Sequence, residues 1–399
     1  MTSTPTDFSR RRRKETLIFA AEMKPTTFMM IAGETSGDLL ASELVSALRE
    51  KSPGATFFGA GGQKMAAAGV ELAFDMTQHA VIGISDVLKN YLKFRRLFDQ
   101  LVALAIERKP DVIIGVDFGG FNLRFGHAVK EYSRYDSSDW RPKFVQFVSP
   151  QVWASRPGRA DLLARDYDLL LSIFPFEKDW YAKRVPGLRV EFVGNPMVER
   201  LQSKVQSPKS KVAEQPEILL LPGSRKSELQ RHLPVMLPAM ELVRKKIPGA
   251  KVKMVLPNAG LKELSRALGA DGEIQMGDLP SALAQTDVAI ASTGTVTMEC
   301  AFFGVPTVTL YKTSWLTYEI GKRIVTVTSL TMPNLMAGEE VYPELIQEAA
   351  TPENIARATL DLLENESRRK KIRSQLEEIV ASLGGPGATK RAAEAVLSL

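Results

Sequence analysis

Short apolar runs that alternate with helical patterns constrain the fold of this chain more than any other feature. Strands that alternate with helices form βαβ units, and such units build parallel sheets. The runs are apolar throughout rather than at every second residue, which is typical of strands buried on both faces. We therefore expect an α/β fold with parallel sheets, its strands at residues 28–32, 56–60, 112–116, 144–148, 169–174, 189–193, 218–221, 252–256, 273–276, 288–291 and 307–310.

The strand candidates fall into two groups of comparable size. Residues 202–216 separate them and are rich in Lys, Ser, Gln and Pro, which indicates a linker or an exposed connection. Residues 352–397 are helical by pattern, with an interruption by glycine and proline at 384–387. We therefore predict a disordered basic tail over 1–25, a first α/β domain over 26–200, a linker over 201–216, and a second α/β domain with C-terminal helices over 217–399. We expect these C-terminal helices either to pack back on the first domain or to exchange between copies.

The charge balance argues against nucleic acid as a partner. The chain has 399 residues, with 52 Lys and Arg against 46 Asp and Glu, a formal net charge of +6. Residues 1–14 hold five basic residues and one acidic residue, which leaves 47 basic against 45 acidic, or +2, for the rest. A nearly balanced body lacks the basic surface that phosphate backbones select.

Cysteine and histidine are scarce. Cys300 is the single cysteine, so no internal disulfide can form and a reducing compartment such as the cytosol is expected. The three histidines, His79, His127 and His232, are far apart in sequence, so we expect no metal site. No run reaches the roughly 18 apolar residues of a membrane-spanning helix, so we expect a soluble or surface-bound protein.

Polar residues follow the strands of the first half, where parallel sheets bind ligands. Residues 33–38 contain two glycines and open a helical pattern, so the chain turns tightly and offers backbone N–H groups to an anion or a sugar oxygen. The alternative is a helix simply capped by Ser36 or Asp38. Asp117 ends a buried strand and is suited to act as a general base, or else it caps the next turn. Trp153 either lines a sugar or phosphate site or packs at a domain seam.

Two loops of the second half have the composition of a diphosphate site. After the strand at 218–221, glycine permits a close backbone approach and Arg225 can grip a phosphate with two parallel hydrogen bonds. After the strand at 288–291, hydroxyls, a glycine and a helix start can hold a diphosphate without a metal ion. Glu299 follows one turn later and can accept two ribose hydroxyls. A helix merely capped by hydroxyls is the alternative reading of this second loop.

A segment with exposed apolar character precedes the Asp117 strand. Residues 84–98 carry apolar side chains at helical spacing, interspersed with four basic residues. Basic residues beside Phe, Tyr and Leu are typical of helices that lie on a bilayer or contact acyl chains. The alternative is a helix packed on its own sheet.

At these motifs the chain resembles the lipid-A-disaccharide synthases, a family of inverting glycosyltransferases in lipid A biosynthesis for the lipopolysaccharide of the outer membrane. The resemblance runs from about residue 28 to the end of the chain. Each motif alone is weak, and it is their order and spacing that are specific. The motifs are residues 32–38, 83, 109–111, 115–117, 149–150, 152–154, 175–178, 221–225, 293–295 with 299, 333–335 and 337–338.

The resemblance implies a GT-B fold, with two Rossmann-like domains that face each other across a cleft. The first domain would bind the acceptor and associate with the membrane, and the second would bind the UDP-sugar donor. The implied reaction joins UDP-2,3-diacylglucosamine to 2,3-diacylglucosamine 1-phosphate through a β-1,6 bond and releases UDP. The implied enzyme has no cofactor, is peripheral on the cytoplasmic face of the inner membrane, and is in some members a homodimer that exchanges C-terminal segments.

The resemblance also implies roles for individual residues. Asp117 matches the family's essential aspartate. Gly120 stands where the family has a second acidic residue, so that carboxylate is absent here. The implied donor-binding residues are Gly223, Ser224, Arg225, Thr293, Gly294, Thr295, Glu299 and Asn334; the acceptor-binding residues are Glu34, Ser36, Gly37, Asp38 and Trp153; and the membrane or acyl-chain residues are Val87, Leu88, Tyr91 and Phe94.

Two other functions remain open from the sequence. One is a different GT-B enzyme, such as a UDP-N-acetylglucosamine 2-epimerase or the peptidoglycan N-acetylglucosaminyltransferase. The loop at 34–38 and the segment at 149–153 argue against both. The other is a non-catalytic relative that binds lipid or nucleotide.

Overall fold

The computed structural model describes residues 26–77, 91–204 and 214–399, with only the backbone of residues 91–93. Its strands form two parallel sheets. The first sheet has the strand order β3-β2-β1-β4-β5-β6-β7. Its strands are β1 (Thr27–Ala32), β2 (Thr56–Gly61), β3 (Glu71–Asp75), β4 (Val112–Val116), β5 (Lys143–Phe147), β6 (Leu169–Ser172) and β7 (Val190–Phe192).

The second sheet has the strand order β10-β9-β8-β11-β12-β13. In both sheets the order reverses once, between β1 and β4 in the first and between β8 and β11 in the second. In a parallel sheet such a reversal opens a crevice at the carboxyl ends of the two central strands. The strands of this sheet are β8 (Glu217–Leu221), β9 (Lys251–Leu256), β10 (Glu273–Met276), β11 (Val288–Ser292), β12 (Thr307–Tyr311) and β13 (Glu344–Ile346).

Helices connect the strands. Those that precede β8 are Thr35–Lys51, Gln63–Ala67, Tyr91–Arg108, Gly119–Tyr135, Val152–Ser155, Arg159–Asp166, Pro175–Arg184 and Met197–Gln202. Those that follow are Lys226–Lys246, Ala259–Ala267, Leu279–Gln285, Val296–Phe302, Trp315–Ile324, Met332–Ala337, Pro352–Glu364, Glu366–Ser382 and Ala388–Leu397, with a 3₁₀ turn at Gln347–Ala349.

The central strands form the core because their side chains are apolar on both faces. Residues 28–32 of β1 are fully buried, as are nearly all residues of β4 and β11. The helix Lys226–Lys246 buries one apolar stripe, whose members recur every three or four residues as helical geometry requires. These buried residues are Leu229, Leu233, Met236, Met240 and Val243.

The strand predictions are confirmed, with ends that shift by at most two residues. The helical pattern after residue 352 and its interruption at 384–387 are confirmed as well. Two strands were missed, β3 and β13. Both are short edge strands with partly exposed residues, so neither carries the continuous apolar run that marks a central strand.

The chain's internal contacts define two compact units. Unit 1 comprises the residues up to Phe147, Asp166–Leu169 and Ala393–Leu399, and unit 2 comprises Val148–Arg165 and Leu170–Ala392. Within unit 1, the final helix is joined to the first by an ion pair between Lys51 Nζ and Glu394 Oε1 at 2.8 Å. The sequence-based domain limits stay a prediction.

Candidate active site

The strand reversal of the first sheet brings two predicted loops together. β1 pairs with β4 in register, with Ala32 opposite Val116, so residues 33–38 and Asp117 leave neighbouring strand ends. A Cβ built on Gly37 lies 3.6 Å from the Asp117 Cβ and 3.3 Å from the Val116 carbonyl oxygen. A side chain at position 37 would therefore crowd the Val116 carbonyl and touch Asp117.

Asp117 lies at a bend of unusual geometry. Its φ is 51° and that of Phe118 is 44°, so two consecutive non-glycine residues adopt the left-handed conformation. The Asp117 N–H donates to the Phe147 carbonyl at 2.9 Å, and the Asp117 carbonyl accepts from Asn122 Nδ2 at 2.8 Å and Gln146 Nε2 at 2.9 Å. Three hydrogen bonds therefore hold this bend, and its carboxylate projects from a fixed backbone.

The pKa of the Asp117 carboxyl group is raised, which makes its carboxylate more basic. Burial raises its pKa above the ordinary value, because a charged carboxylate is poorly solvated there. Hydrogen bonds from the Phe118 backbone N–H and from the Ser36 hydroxyl oppose this rise. Ser36 and Asp117, which the sequence predicts in different roles, are thus in direct contact.

The other predicted acceptor-binding residues differ in what they contact. Glu34 is partly buried and precedes the helix Thr35–Lys51, where its carbonyl accepts from the Asp38 N–H at 2.8 Å. Asp38 is buried, and its carboxylate accepts from the backbone N–H groups of Gly62, Lys64 and Met65 at 2.8, 3.0 and 3.1 Å. Asp38 thus fixes the start of the neighbouring helix Gln63–Ala67. The expected cap of its own helix by Ser36 or Asp38 is wrong, because the helix Thr35–Lys51 has Glu34 at its N-cap and no side-chain cap.

Trp153 is buried in unit 2. Its Nε1 donates to Glu177 Oε1 at 3.0 Å, and its ring meets Phe176 edge-on. Burial raises the pKa of Glu177 to about 7, although hydrogen bonds from Trp153 and from the Phe174 N–H partly offset this rise. Trp153 therefore packs within unit 2, and its acceptor-binding role stays a prediction.

Sequence reasoning missed an aromatic cluster beside Asp117. Phe118 stacks on Phe121, which stacks on Phe125, and Phe98 meets both Phe121 and Phe125 edge-on. Phe125 is buried, whereas the other three are partly exposed. A Cβ on Gly33 would lie 2.4 Å from the Phe118 ring, so glycine is required there. The spacing of Phe118, Phe121 and Phe125 on a helical pattern was a usable signal.

The predicted membrane segment is described only in part. Val87 and Leu88 lie outside the described residues, as does the side chain of Tyr91. The described part is helical, from Tyr91 to Arg108, and Phe94 is partly buried. The predicted roles of these four residues stay a prediction.

The strand reversal of the second sheet brings together the two predicted diphosphate loops. β8 pairs with β11, with Leu221 opposite Ala291, so residues 222–225 and 293–295 follow neighbouring strand ends. Glu228 Oε2 accepts from the backbone N–H groups of Ser224 at 2.9 Å and Arg225 at 3.3 Å. The Arg225 guanidinium, 3.6 Å from Glu228 Oε1, is mostly exposed and is the cation of this loop.

The loop Thr293–Thr295 is exposed at Gly294 and Thr295, as its predicted role in diphosphate binding requires. Gly294 has φ +142°, which favours glycine, and both Gly294 and Thr295 are exposed. Within the described chain, their backbone N–H groups have no hydrogen-bond acceptor. The helix Val296–Phe302 follows directly, and Thr297 anchors its first turn through a 2.7 Å bond to the Gly294 carbonyl.

Glu299 lies one turn into that helix. Burial raises the pKa of its carboxyl group, and the positive charge of Arg200 opposes the rise. Arg200 belongs to the helix Met197–Gln202, and no sequence motif had marked it. The Arg200 guanidinium is therefore near enough to the Glu299 carboxylate to act on it electrostatically.

A buried histidine fixes the first of these loops. His232 Nδ1 lies 2.6 Å from the Pro222 carbonyl oxygen, and the Lys312 N–H donates to His232 Nε2 at 3.2 Å. These partners assign the neutral ring with its proton on Nδ1, and burial lowers the pKa of the imidazole accordingly. His232 thus ties the end of β8 to the end of β12.

Asn334, the last predicted donor-binding residue, is buried within unit 2. Its Nδ2 donates to the Tyr342 carbonyl at 2.8 Å and to Glu344 Oε1 at 2.9 Å. Its Oδ1 accepts from the N–H groups of Val341 at 2.9 Å and Tyr342 at 2.8 Å. With all four bonds made inside the chain, the structure uses Asn334 to hold the segment that precedes β13.

Across residues 26–77, 91–204 and 214–399, no group of three or more His, Cys, Asp or Glu side chains is arranged to hold a metal ion. Over the same residues, no helix combines the length and apolar character of a membrane span.

Two parallel sheets, each with polar loops at its strand reversal, place the chain in the GT-B fold class. A UDP-N-acetylglucosamine 2-epimerase from Neisseria meningitidis bound to UDP-GlcNAc matches 94% of the chain and 100% of its own, with TM-score 0.60 and 13% identity. The calicheamicin glycosyltransferase CalG4 matches 94% of the chain and 99% of its own, with TM-score 0.57 and 15% identity. These likenesses show the fold alone.

The family follows from sequence. A model described as lipid-A-disaccharide synthetase matches residues 28–399, and the chain belongs to this family of glycosyltransferases. A lipid-A-disaccharide synthase of Myxococcus xanthus is 36% identical over 388 residues, 94% of the chain and 98% of that relative. Another from Trichlorobacter lovleyi is 35% identical over 387 residues, again 94% and 98%.

Proposed function

We propose that this enzyme transfers 2,3-diacylglucosamine from UDP-2,3-diacylglucosamine to the 6-hydroxyl of 2,3-diacylglucosamine 1-phosphate. The products are the β-1,6-linked disaccharide 1-phosphate and UDP. The observation that carries this proposal is the family match from residue 28 to residue 399, supported by relatives that carry the synthase name. Asp117 and Arg225, each beside the strand reversal of its sheet, supply the chemistry that such a transfer needs.

Asp117 is the proposed general base. The acceptor's 6-hydroxyl oxygen forms a bond to the donor's anomeric carbon from the side opposite UDP, so the configuration inverts. The hydroxyl proton passes to the Asp117 carboxylate, and the bond between the anomeric carbon and the UDP oxygen breaks. A base whose pKa is raised by burial takes the proton more readily, and such catalysis typically contributes about 10²–10⁴ in rate.

The loops of unit 2 stabilise the leaving group. Negative charge develops on the diphosphate as the bond breaks, and the Arg225 guanidinium with the exposed N–H groups of Gly294 and Thr295 is suited to receive it. Thr293 and the Gly223–Ser224 turn complete the loops, and Glu299 is the proposed partner of the ribose hydroxyls. These donors supply the charge stabilisation, so the proposal includes no metal ion or cofactor.

The lipid parts of the substrates call for apolar surface near the base. The partly exposed rings of Phe118, Phe121 and Phe98 lie beside Asp117 and suit an acyl chain. Ser36 and Gly37, at the start of the helix Thr35–Lys51, are the proposed contacts for the acceptor's sugar oxygens. Val87, Leu88, Tyr91 and Phe94 are the proposed contacts with the membrane or the acyl chains. The enzyme would then be peripheral on the cytoplasmic face of the inner membrane, as a monomer or as a homodimer.

The direct test incubates the purified chain with both diacylated substrates in detergent and follows the products by mass spectrometry. We expect equimolar UDP and tetraacyl disaccharide 1-phosphate, each dependent on both substrates. UDP-N-acetylglucosamine, supplied alone, is the control. Conversion of that sugar to its 2-epimer would replace the proposal with an epimerase, and binding of both lipids without turnover would replace it with a non-catalytic relative.

A further inference from the structure

The helix Trp315–Ile324 in unit 2 has no buried residue at all. Trp315 is 71% exposed, Leu316 62% and Ile320 47%. Of the nine large hydrophobic side chains that are exposed among the described residues, these three and Val325 lie within eleven consecutive positions. A cluster of this kind is unusual on a monomeric surface and marks a site of association.

The same helix carries exposed positive charge. Lys322 and Arg323 lie in its last turn and are exposed, and its single acidic residue, Glu319, already lies 4.0 Å from Arg323. Lys322 Nζ also lies 6.0 Å from the centre of the Tyr318 ring. An amphipathic helix with tryptophan, leucine and isoleucine beside lysine and arginine has the composition of helices that lie in a membrane interface.

The helix Trp315–Ile324 lies close in the fold to the loop Thr293–Thr295. It begins after β12, where Ser314 caps it by accepting from the Thr317 N–H at 3.2 Å. β12 is parallel to its neighbour β11, so the helix follows the carboxyl end of β12 just as the loop Thr293–Thr295 follows the carboxyl end of β11. The exposed apolar helix and the predicted diphosphate loops therefore all lie at the carboxyl ends of the strands of the second sheet.

We propose that the helix Trp315–Ile324 is a bilayer-docking surface of unit 2, which engages membranes that contain anionic lipid. Charge complementarity selects this occupant, because Lys322 and Arg323 attract anionic headgroups while Trp315, Leu316 and Ile320 enter the interface. The inference rests on the proposed function in one respect: a diacylated donor resides in a bilayer, and unit 2 holds its nucleotide.

Trp315 is itself the probe for this proposal. The chain has four tryptophans, and the other three, Trp140, Trp153 and Trp180, are buried or partly buried. Vesicles of phosphatidylcholine with phosphatidylglycerol should therefore shift the emission of Trp315 to the blue and protect it from iodide, with a weaker effect for phosphatidylcholine alone. Trp315→Phe should remove the shift while the protein still floats with vesicles.

Substitutions in the helix Trp315–Ile324 test whether this helix is the surface that contacts the vesicles. Trp315→Ser combined with Ile320→Ser should lower partitioning into the mixed vesicles at least about tenfold, because two large apolar side chains lose their burial. Met276→Ser, an exposed apolar residue of unit 2 at the end of β10, is the matched control and should change partitioning less than twofold. Lys322→Gln with Arg323→Gln should remove most of the preference for phosphatidylglycerol.

Two outcomes would overturn the proposal. A protein that floats with vesicles while the Trp315 emission stays unchanged docks through another surface. A blue shift that grows with protein concentration in the absence of vesicles, together with dimers in sedimentation, assigns the face to a second copy. The product assay in detergent requires no vesicles, so a failure of the proposed function is read separately from a failure of this docking surface.

Discussion

At the scale of single residues, Asp117 combines backbone strain with a fixed position. Its left-handed conformation and that of Phe118 cost roughly 1–2 kcal/mol each, and the bonds of Asn122 and Gln146 to the Asp117 carbonyl help to offset this. Strain of this kind persists where the surroundings over-determine the geometry, as they do at functional sites. The sequence predicted the residue, because it ends a buried strand within a family motif. It could not predict the left-handed pair, which depends on side chains brought in by β5 and by the following helix.

The contact between Ser36 and Asp117 predicts a pH effect. The Ser36 hydroxyl stabilises the charged carboxylate and so opposes the rise in the pKa of Asp117 that burial causes. The base must be deprotonated, so turnover is lost as pH falls through that pKa. Ser36→Ala should therefore move the acid limb of the kcat/KM profile to higher pH.

The matched control is Ser42→Ala, on the same helix, where the hydroxyl bonds only the Leu39 carbonyl among the described residues. Its acid limb should coincide with that of the unmodified chain. An acid limb that stays in place for Ser36→Ala, or that moves to lower pH, would remove Ser36 from this role.

Three other motif residues illustrate the limit of sequence reasoning at this scale. The polar atoms of Asp38, Asn334 and Trp153 bond within the chain, and all three residues are buried. A motif records that a residue type is needed at a position without distinguishing a ligand contact from a structural bond. That distinction depends on tertiary neighbours, such as the N–H groups around Asp38, which come from residues 62–65.

At the scale of elements, each strand reversal brings two polar loops together within its own sheet. The loops at 33–38 and at Asp117 flank one reversal, and those at 222–225 and 293–295 flank the other. Strand existence could be predicted from apolar runs, except for the edge strands β3 and β13. The tie that His232 makes between the ends of β8 and β12 could not, because it joins residues 80 positions apart in the chain.

The contacts of the predicted diphosphate loop at 222–225 indicate which group would bind UDP. Glu228 occupies the Ser224 and Arg225 N–H groups, so the loop's attraction for an anion rests on the Arg225 guanidinium. Arg225→Ala should raise the Kd for UDP by about 10–100-fold, the usual worth of a charge-assisted hydrogen bond.

Calorimetry measures this change, and Arg244→Ala provides the control. Arg244 lies on the same helix, Lys226–Lys246, but in its last turn. At about 1.5 Å per residue, it lies nearly 30 Å from Arg225. Loss of that charge should leave the Kd within about twofold, and an unchanged Kd for Arg225→Ala would refute the assignment.

The start of the helix Gly119–Tyr135 predicts the effect of restoring the family's second carboxylate. A Cβ on Gly120 meets no atom of the described residues within 4 Å, so Gly120→Asp meets no obstacle at its Cβ. Aspartate is a better helix former than glycine and suits a helix N-terminus, so the free energy of unfolding should rise by about 0.5–1 kcal/mol.

Denaturant titration measures this stability, and the product assay measures the consequence for catalysis. Turnover should change less than about threefold, because Asp117 alone takes the proton. A tenfold gain in turnover for Gly120→Asp would instead assign a catalytic part to the second carboxylate.

At the scale of the whole molecule, one architectural solution is used twice. Each sheet is parallel, is buried through its central strands, and presents polar loops at one reversal of strand order. This doubling could be predicted from the repeated alternation of strands and helices. The sequence also leads us to expect that the C-terminal helices either pack back on the first domain or exchange between copies, and this stays a prediction. Ala393–Leu399 group with unit 1, and Glu394 of this segment forms an ion pair with Lys51.

The central claim is that a single carboxylate of unit 1 takes the proton while unit 2 holds the nucleotide. Asp117→Asn tests it most directly, because the backbone bonds of Asn122 and Gln146 to residue 117 do not depend on its side chain. One preparation should be measured for turnover by mass spectrometry and for UDP binding by calorimetry. The account predicts a loss of turnover of at least about 100-fold, with the Kd for UDP unchanged within about twofold. Turnover close to that of the unmodified chain would contradict it.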